Sequence, residues 1–212
     1  MAQVFDWSIR QFLKEAASSA PTPGGGSVAA LAGALAAAMA SMVASLTVGK
    51  DKYKDVEPEM QAILARTAAL IEELEALVAA DMEAFNAFMA VYKLPKETEE
   101  QKAERARRMQ EALLQATDTP LKIASSCLEV LRLAEQAALK GNKGAVSDAG
   151  VAAYLGEAAL QAALLNVDIN VPLIKDASYA AQAVTKREEL GREAVKAKER
   201  AVAVVKERLA GR

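Results

Sequence analysis

Residues 21–49 constrain this chain most. They read Pro21-Thr22-Pro23-Gly24-Gly25-Gly26-Ser27, then Val28-Ala29-Ala30-Leu31, and on through alanine and methionine to Leu46-Thr47-Val48-Gly49. No charged residue falls between Ala16 and Gly49. The two prolines exclude a helix ahead of the glycines, and the glycines free the backbone there. Ser27 is a suitable N-cap and Gly49 a suitable stop, so the spacing predicts a helix over 27–48. A helix that is apolar nearly all round is buried on most sides. Its small residues also let neighbouring backbones come close. In a chain of 212 residues, burial on that scale predicts cover by a second subunit, and a homodimer is expected.

The first free amides of that helix, with its positive dipole end, suit an anion or a polar ligand edge. A flexible turn capped by Ser27 fits the same residues. The stretch has neither the Lys and Ser/Thr of a P-loop nor the preceding strand of a dinucleotide fingerprint.

Composition narrows the chemistry. The net charge is −2 with both signs spread along the chain, which argues against nucleic acid as a partner. Histidine is absent, and with it the commonest general base and metal ligand. The single Cys127 excludes an intrachain disulfide and a multi-cysteine metal site. Its apolar surroundings, Ile123 to Leu128, read as those of a packed thiol. No metal is expected. The start of the chain has no basic segment followed by an apolar run, so no signal peptide is evident. Residues 27–48 are long enough to span a bilayer. They are mostly alanine, with Ser41, Ser45 and Thr47 interspersed, so the expectation is a buried helix in a cytoplasmic protein with no membrane partner.

The rest of the chain is helical in pattern. Val4, Trp7, Phe12 and Leu13 suggest a short amphipathic helix, capped by Asp6 or Ser8 and ending near Ser18. Lys50 to Asp55 is a polar link whose Lys50 and Tyr53 either reach a ligand or are solvated. A long helix follows from Glu57 to Tyr92. Its stripe of Ile63, Leu70, Leu74 and Leu77 continues through Asp81, Phe85 and Phe88, so one carboxylate sits where a core residue is due. A buried acid there should titrate high, as a general acid or base near neutral pH requires. A partnered buried acid, or a helix that rotates to expose it, is the alternative.

Leu94-Pro95-Lys96 ends that helix. A charged segment over 97–110 turns apolar at Met109, Leu113 and Leu114, and Pro120 starts a new helix or kinks this one. Gly141 to Gly144 is a second glycine break. It leads past Ser147 and Asp148, both able to cap, into an alanine-rich helix to about Asn166. Asn166, Asp168 and Asn170 then mark a helix end or a short extended link. A last helix runs from about Lys175 to Leu209, with Ala180, Ala183, Val184, Leu190, Ala194, Ala197, Ala201 and Val204 on its expected buried side. No stretch reads as a sheet. The expected fold is all-α, a single domain over 1–212 with five to seven helices around a central small-residue helix pair.

Several of these segments, in this order, resemble one family. Pro23-Gly24-Gly25-Gly26-Ser27-Val28-Ala29-Ala30 is similar to the signature of the cyclodeaminase domain of formiminotransferase-cyclodeaminase. So are Leu46 to Lys50 with Tyr53, Ala80 to Phe85, Leu94-Pro95-Lys96, Gly141-Asn142 with Ser147-Asp148, and Asn166 to Asn170. Together they cover nearly the whole chain. The chain leaves no room for the formiminotransferase half, so the resemblance implies a stand-alone protein of the cyclodeaminase type, bacterial relatives of which include methenyltetrahydrofolate cyclohydrolases. It implies an all-helical dimer acting on a tetrahydrofolate derivative, with no further cofactor. Of the two reactions, one closes 5-formiminotetrahydrofolate to 5,10-methenyltetrahydrofolate with loss of ammonia. The other opens the methenyl ring with water. A dimer that only binds folate or a partner protein is the non-enzymatic alternative. Asp81 falls where the family's catalytic aspartate is expected. The same resemblance implies a substrate site lined by Gly25, Gly26 and Ser27, with Lys50, Asn142, Asp148 and Asn166 as polar contacts.

Overall fold

A computed structural model describes residues 4–211. Six α-helices are found among them: α1 (Ile9–Ala16), α2 (Gly25–Ser45), α3 (Glu57–Tyr92), α4 (Glu99–Lys140), α5 (Val146–Asn170) and α6 (Ala177–Ala210). No strand occurs among the described residues, so the all-α expectation holds.

α2 begins two residues earlier than its sequence pattern suggests. Gly24 is its N-cap and makes no side-chain cap bond; Ser27 lies inside the first turn and is not the cap. The helix ends at Ser45, and the following turn closes at Gly49 with φ of +75°, a left-handed angle that glycine adopts without strain. α1 starts where Ser8 accepts the Gln11 N–H, and it ends at Ala16. α4 opens on a capping box between Thr98 and Gln101. α6 opens on Asp176, whose carboxylate accepts the amides of Ser178 and Tyr179.

Pro120 starts no new helix: α4 continues through it. The proline has no N–H to offer the Ala116 carbonyl one turn back. Asn170, at the end of α5, donates its side-chain amide to that carbonyl at 2.8 Å. A partner from another helix thus satisfies the group the proline orphans. The same end of α5 settles the alternation at 166–170, which is helical and not an extended link.

The core forms around α2, which packs against α3, α4 and α5. Ala30, Ala36 and Ala37 of α2 are fully buried in one cluster with Leu70, Leu74 and Val78 of α3 and Ile123 and Leu131 of α4; further along α2, Ala40 clusters with Ala134 and Ala152, and Val43 with Met60 and Ile63. Each large side chain buried in this way contributes about 1.5–3 kcal/mol. Gly33 permits a close approach: a Cβ there would lie 2.6 Å from the Cys127 sulfur and 3.3 Å from Leu74. Cys127 is completely buried, and that burial pushes its thiol up to about 12, so it fills space and stays protonated. α6 buries Ala183, Leu190, Ala194, Ala197 and Ala201 as its pattern suggests, whereas Ala180 and Val204 are half-buried and Val184 is exposed.

α2 and α5 are long and apolar enough to cross a membrane. In the fold they lie against each other, the start of α5 beside the end of α2, as Val146 clusters with Val43 and Ala44. Their outward faces remain uncovered. Val28, Leu35, Met42 and Leu46 are exposed in and just beyond α2, and Val151, Tyr154, Leu165 and Ile169 in α5.

Candidate active site

The acid in the apolar stripe of α3 meets the first turn of α2. Asp81 accepts a hydrogen bond from the Ser27 hydroxyl at 2.7 Å on its Oδ2. Ser27 is wholly buried, and Asp81 is half-buried. The other oxygen lies over Gly26, where an added Cβ would come 2.1 Å from Oδ1. Only glycine leaves room for the carboxylate there. The triple glycine therefore acts partly by lacking side chains, which lets an acid from another helix lie on the backbone of the first turn.

Opposing forces set the charge of Asp81. Burial raises its pKa above the ordinary carboxylate value and is the largest influence. The Ser27 hydroxyl and backbone amide favour the ionised form and lower the pKa, though by less than burial raises it. The acid is thus moved toward neutrality while one of its oxygens is held in a fixed direction. That combination suits a group that must take a proton and give it back.

Asn166 of α5 joins this end of the molecule. Its amide group lies 3.8 Å from the position of a Cβ on Gly25, and its Nδ2 donates to Ala162 O at 3.1 Å. Gly25, Gly26, Ser27, Asp81 and Asn166 therefore form one cluster at the start of α2.

The other three expected site residues do not join them. α2 has 21 residues, so its two ends lie about 30 Å apart. Lys50 and Asn142 sit past its far end, and Asp148 sits in the first turn of α5, beside that same end. Asn142 is engaged in holding loops together. Its Nδ2 donates to Leu46 O at 2.8 Å, its backbone N–H to Thr47 Oγ1 at 2.8 Å, and its Oδ1 accepts the Gly144 amide at 2.9 Å. Tyr53 belongs to the same network. Its hydroxyl accepts the Lys143 amide at 3.0 Å and donates to Asn142 Oδ1 at 3.4 Å. Lys50 is exposed and Asp148 half-buried; neither side chain has a hydrogen-bond or ion-pair partner among the described residues.

Phe85 and Phe88 continue the Asp81 face of α3, but they are half-buried and not core. Phe88 meets Tyr92 edge-on, with ring centroids 5.3 Å apart. Their place in the stripe suggested burial, but past Asp81 the buried positions of α3 are Ala84 and Val91. A cleft of about 570 Å³ lies between α3 and α4, lined by Leu77, Ala80, Asp118 and Lys122 among others. An apolar cleft of about 400 Å³ lies between α1 and the first half of α2, lined by Phe12, Leu13, Val28 and Leu35 among others. Asp81 lines neither.

Comparison with known proteins gives a consistent result. The family described as Formiminotransferase-cyclodeaminase matches residues 8–189. The chain is 46% identical over 202 residues to the methenyltetrahydrofolate cyclohydrolase of Methylorubrum extorquens, covering 95% of this chain and 97% of that protein. It is 36% identical over 174 residues to the formimidoyltransferase-cyclodeaminase of Sus scrofa, covering 82% of this chain but 32% of that much longer protein. The crystal structure of a formiminotetrahydrofolate cyclodeaminase from Thermotoga maritima superposes with a TM-score of 0.88, at 32% identity, over 96% of this chain and 98% of that one.

Proposed function

Because the chain belongs to the formiminotransferase-cyclodeaminase family, we propose that it is a folate one-carbon enzyme, a methenyltetrahydrofolate cyclohydrolase that works by proton transfer at Asp81. The observation that carries this reading is the half-buried Asp81, its pKa raised and its Oδ2 oriented by Ser27. End-to-end similarity to a cyclohydrolase of matching length favours that reaction over its sister.

The chemistry needs one movable proton. Water attacks the methenyl carbon as the Asp81 carboxylate takes a proton from it. The tetrahedral carbon then carries a hydroxyl between N5 and N10. Asp81, now protonated, gives its proton to N5 as the C–N5 bond breaks. The carbon stays on N10 as a formyl group, and the hydroxyl proton is released to solvent. A carboxylate with an ordinary low pKa would be a weak base for the first step and a scarce acid for the second.

The cyclodeaminase reaction is the second reading. The superposition on the Thermotoga protein and the match to the mammalian bifunctional enzyme favour it. There Asp81 would protonate departing ammonia after N10 has attacked the formimino carbon. We further propose a homodimer, supported by the uncovered apolar faces of α2 and α5, and a folate that takes Gly25, Gly26 and Asn166 as its wall.

The test is to offer the purified protein methenyl- and formiminotetrahydrofolate separately and to follow the methenyl chromophore. Loss faster than the spontaneous rate identifies the cyclohydrolase. Gain from the formimino compound identifies the cyclodeaminase. No change with either substrate leaves a binding protein and overturns the enzymatic reading.

A further inference from the structure

The geometry points to a tail subsite on the last three turns of α3. There the p-aminobenzoyl-glutamate half of the folate runs away from Asp81, with Phe85 and Phe88 against its ring and Arg105 on its glutamate carboxylates. This rests on the proposed folate substrate and says which way that substrate lies.

The first support is the face that Asp81 belongs to. Phe85, Phe88 and Tyr92 follow it at steps of four, three and four, which keeps all four side chains on one side of α3. Phe85 and Phe88 are half-buried, and Tyr92 is 53% exposed. An aromatic row left partly open beside an acid offers flat apolar surface to a ring. The order along the helix matches the order along the substrate. The reacting carbon is bonded to N10, N10 to the benzoyl ring, and the ring through an amide to glutamate. Phe85 lies about 6 Å beyond Asp81 along the helix axis, and Tyr92 about 16 Å beyond it. Summed bond lengths put the ring about 4–5 Å from the reacting carbon and the glutamate carboxylates about 10–14 Å from it.

The second support is Arg105 of α4, which stands where that row ends. It is half-buried, its Nε donates to Val91 O at 3.3 Å, and its guanidinium lies 5.5 Å from the centre of the Tyr92 ring. Those contacts set its direction and leave its two Nη groups to give. Arg107 and Arg108 are both bound to Glu104, whereas Arg105 has no carboxylate partner among the described residues. Paired Nη groups of a half-buried, unpaired guanidinium suit a carboxylate. A cavity of about 290 Å³ adjoins Arg105, lined also by Leu94, Pro95 and Gln101. Of the acids in its wall, Glu104 is neutralised by Arg107 and Arg108, and Glu100 is held by its own backbone amide and the Thr98 hydroxyl.

The other clefts suit such a tail less well. The one between α1 and α2 has no charged residue in its wall to meet a carboxylate. The one between α3 and α4 has Lys122, but in the same wall as Glu73 and Asp118.

Kinetics with and without the glutamate tests this. Methenyltetrahydrofolate is compared with the carboxamide of methenyltetrahydropteroate, which keeps the rings and has no carboxylate. Arg105→Gln should raise KM for the folate about 10–100-fold, hold kcat within a few-fold and leave KM for the carboxamide unchanged. Phe85→Leu should raise both KM values severalfold, since both substrates keep the ring. An unchanged KM for the folate in Arg105→Gln overturns the inference. So does an equal rise for both substrates, which marks a distorted fold and not a lost contact. Titration calorimetry with p-aminobenzoyl-glutamate, which has no reacting carbon, separates the subsite from the enzymatic reading. Binding to wild type that Arg105→Gln abolishes supports the subsite, even where wild type turns over neither folate and the enzymatic reading falls. An active wild type whose binding of the fragment Arg105→Gln leaves intact overturns the subsite alone.

Discussion

The two ends of α2 use the same kinds of residue in different ways. At its start, glycine, serine and an acid meet so that a carboxylate is left half-buried, held by one side-chain hydrogen bond and raised in pKa. At its end, glycine, asparagine and tyrosine meet so that backbone groups are satisfied and two loops are tied together. The difference lies in what each polar group has left to give. Asp81 keeps an oxygen and a proton equilibrium in reserve. Asn142 spends its Oδ1, Nδ2 and backbone amide on the fold. A polar residue in a recognisable motif is thus left with bonding capacity at one end and spent on architecture at the other.

Glycine substitutions at the two ends should separate these roles. Gly26→Ala forces a methyl into Asp81 Oδ1, and the flexible carboxylate gives way while the helices stay. Turnover should fall by about 10²-fold with little loss of melting temperature, since an angstrom of misplacement costs that much. Gly141→Ala meets the Ala137 carbonyl at 2.5 Å and Val43 at 2.6 Å, neither free to swing away. It should cost about 1–3 kcal/mol of stability in a denaturant titration and leave the chemistry at Asp81 in place. If Gly26→Ala unfolds the protein, or Gly141→Ala abolishes turnover in folded protein, the distinction fails.

Smaller changes sharpen it. Ser27→Ala removes the donor that lowers the Asp81 pKa. Turnover should drop about tenfold, and the pH profile of kcat/KM should move to higher pH. Asn142→Ala should cost about 1–3 kcal/mol through unpaired loop groups. The smallest effect is a linkage. A carboxyl group whose folded pKa is raised binds more protons in the folded than in the unfolded chain between the two values. Stability therefore falls as pH rises from the ordinary value of 3.8 through the raised one. Asp81→Asn should abolish that part of the decline, so its stability relative to wild type should improve as pH rises. A constant difference across that range would show that burial does not raise the acid.

Most of the fold was legible in the sequence, because periodicity and breakers reported it directly. Pro95 and the glycines at 24–26 and 141 fall where helices stop or start. The new helix that Pro120 allowed does not occur, and the carbonyl the proline orphans is met by Asn170, fifty residues later and on another helix. Local pattern carries no trace of such a rescue. Asp81 was legible because it interrupts an apolar stripe. Its contact with Gly26 was not, since nothing local says which helix an acid will face. Ser27 read as a cap because its spacing allows one, but Gly24 takes that place and frees the hydroxyl for Asp81. The separation of Lys50, Asn142 and Asp148 from Asp81 was likewise hidden. Motif order along a chain is silent about which end of a long helix each motif reaches.

The central claim is that Asp81 moves the proton. The most direct measurement compares wild type with Asp81→Asn at saturating methenyltetrahydrofolate, following the chromophore and measuring folate binding separately. The account predicts a loss of turnover of about 10²–10⁴-fold, with folate affinity within a few-fold of wild type. Turnover close to wild type in folded Asp81→Asn would contradict it.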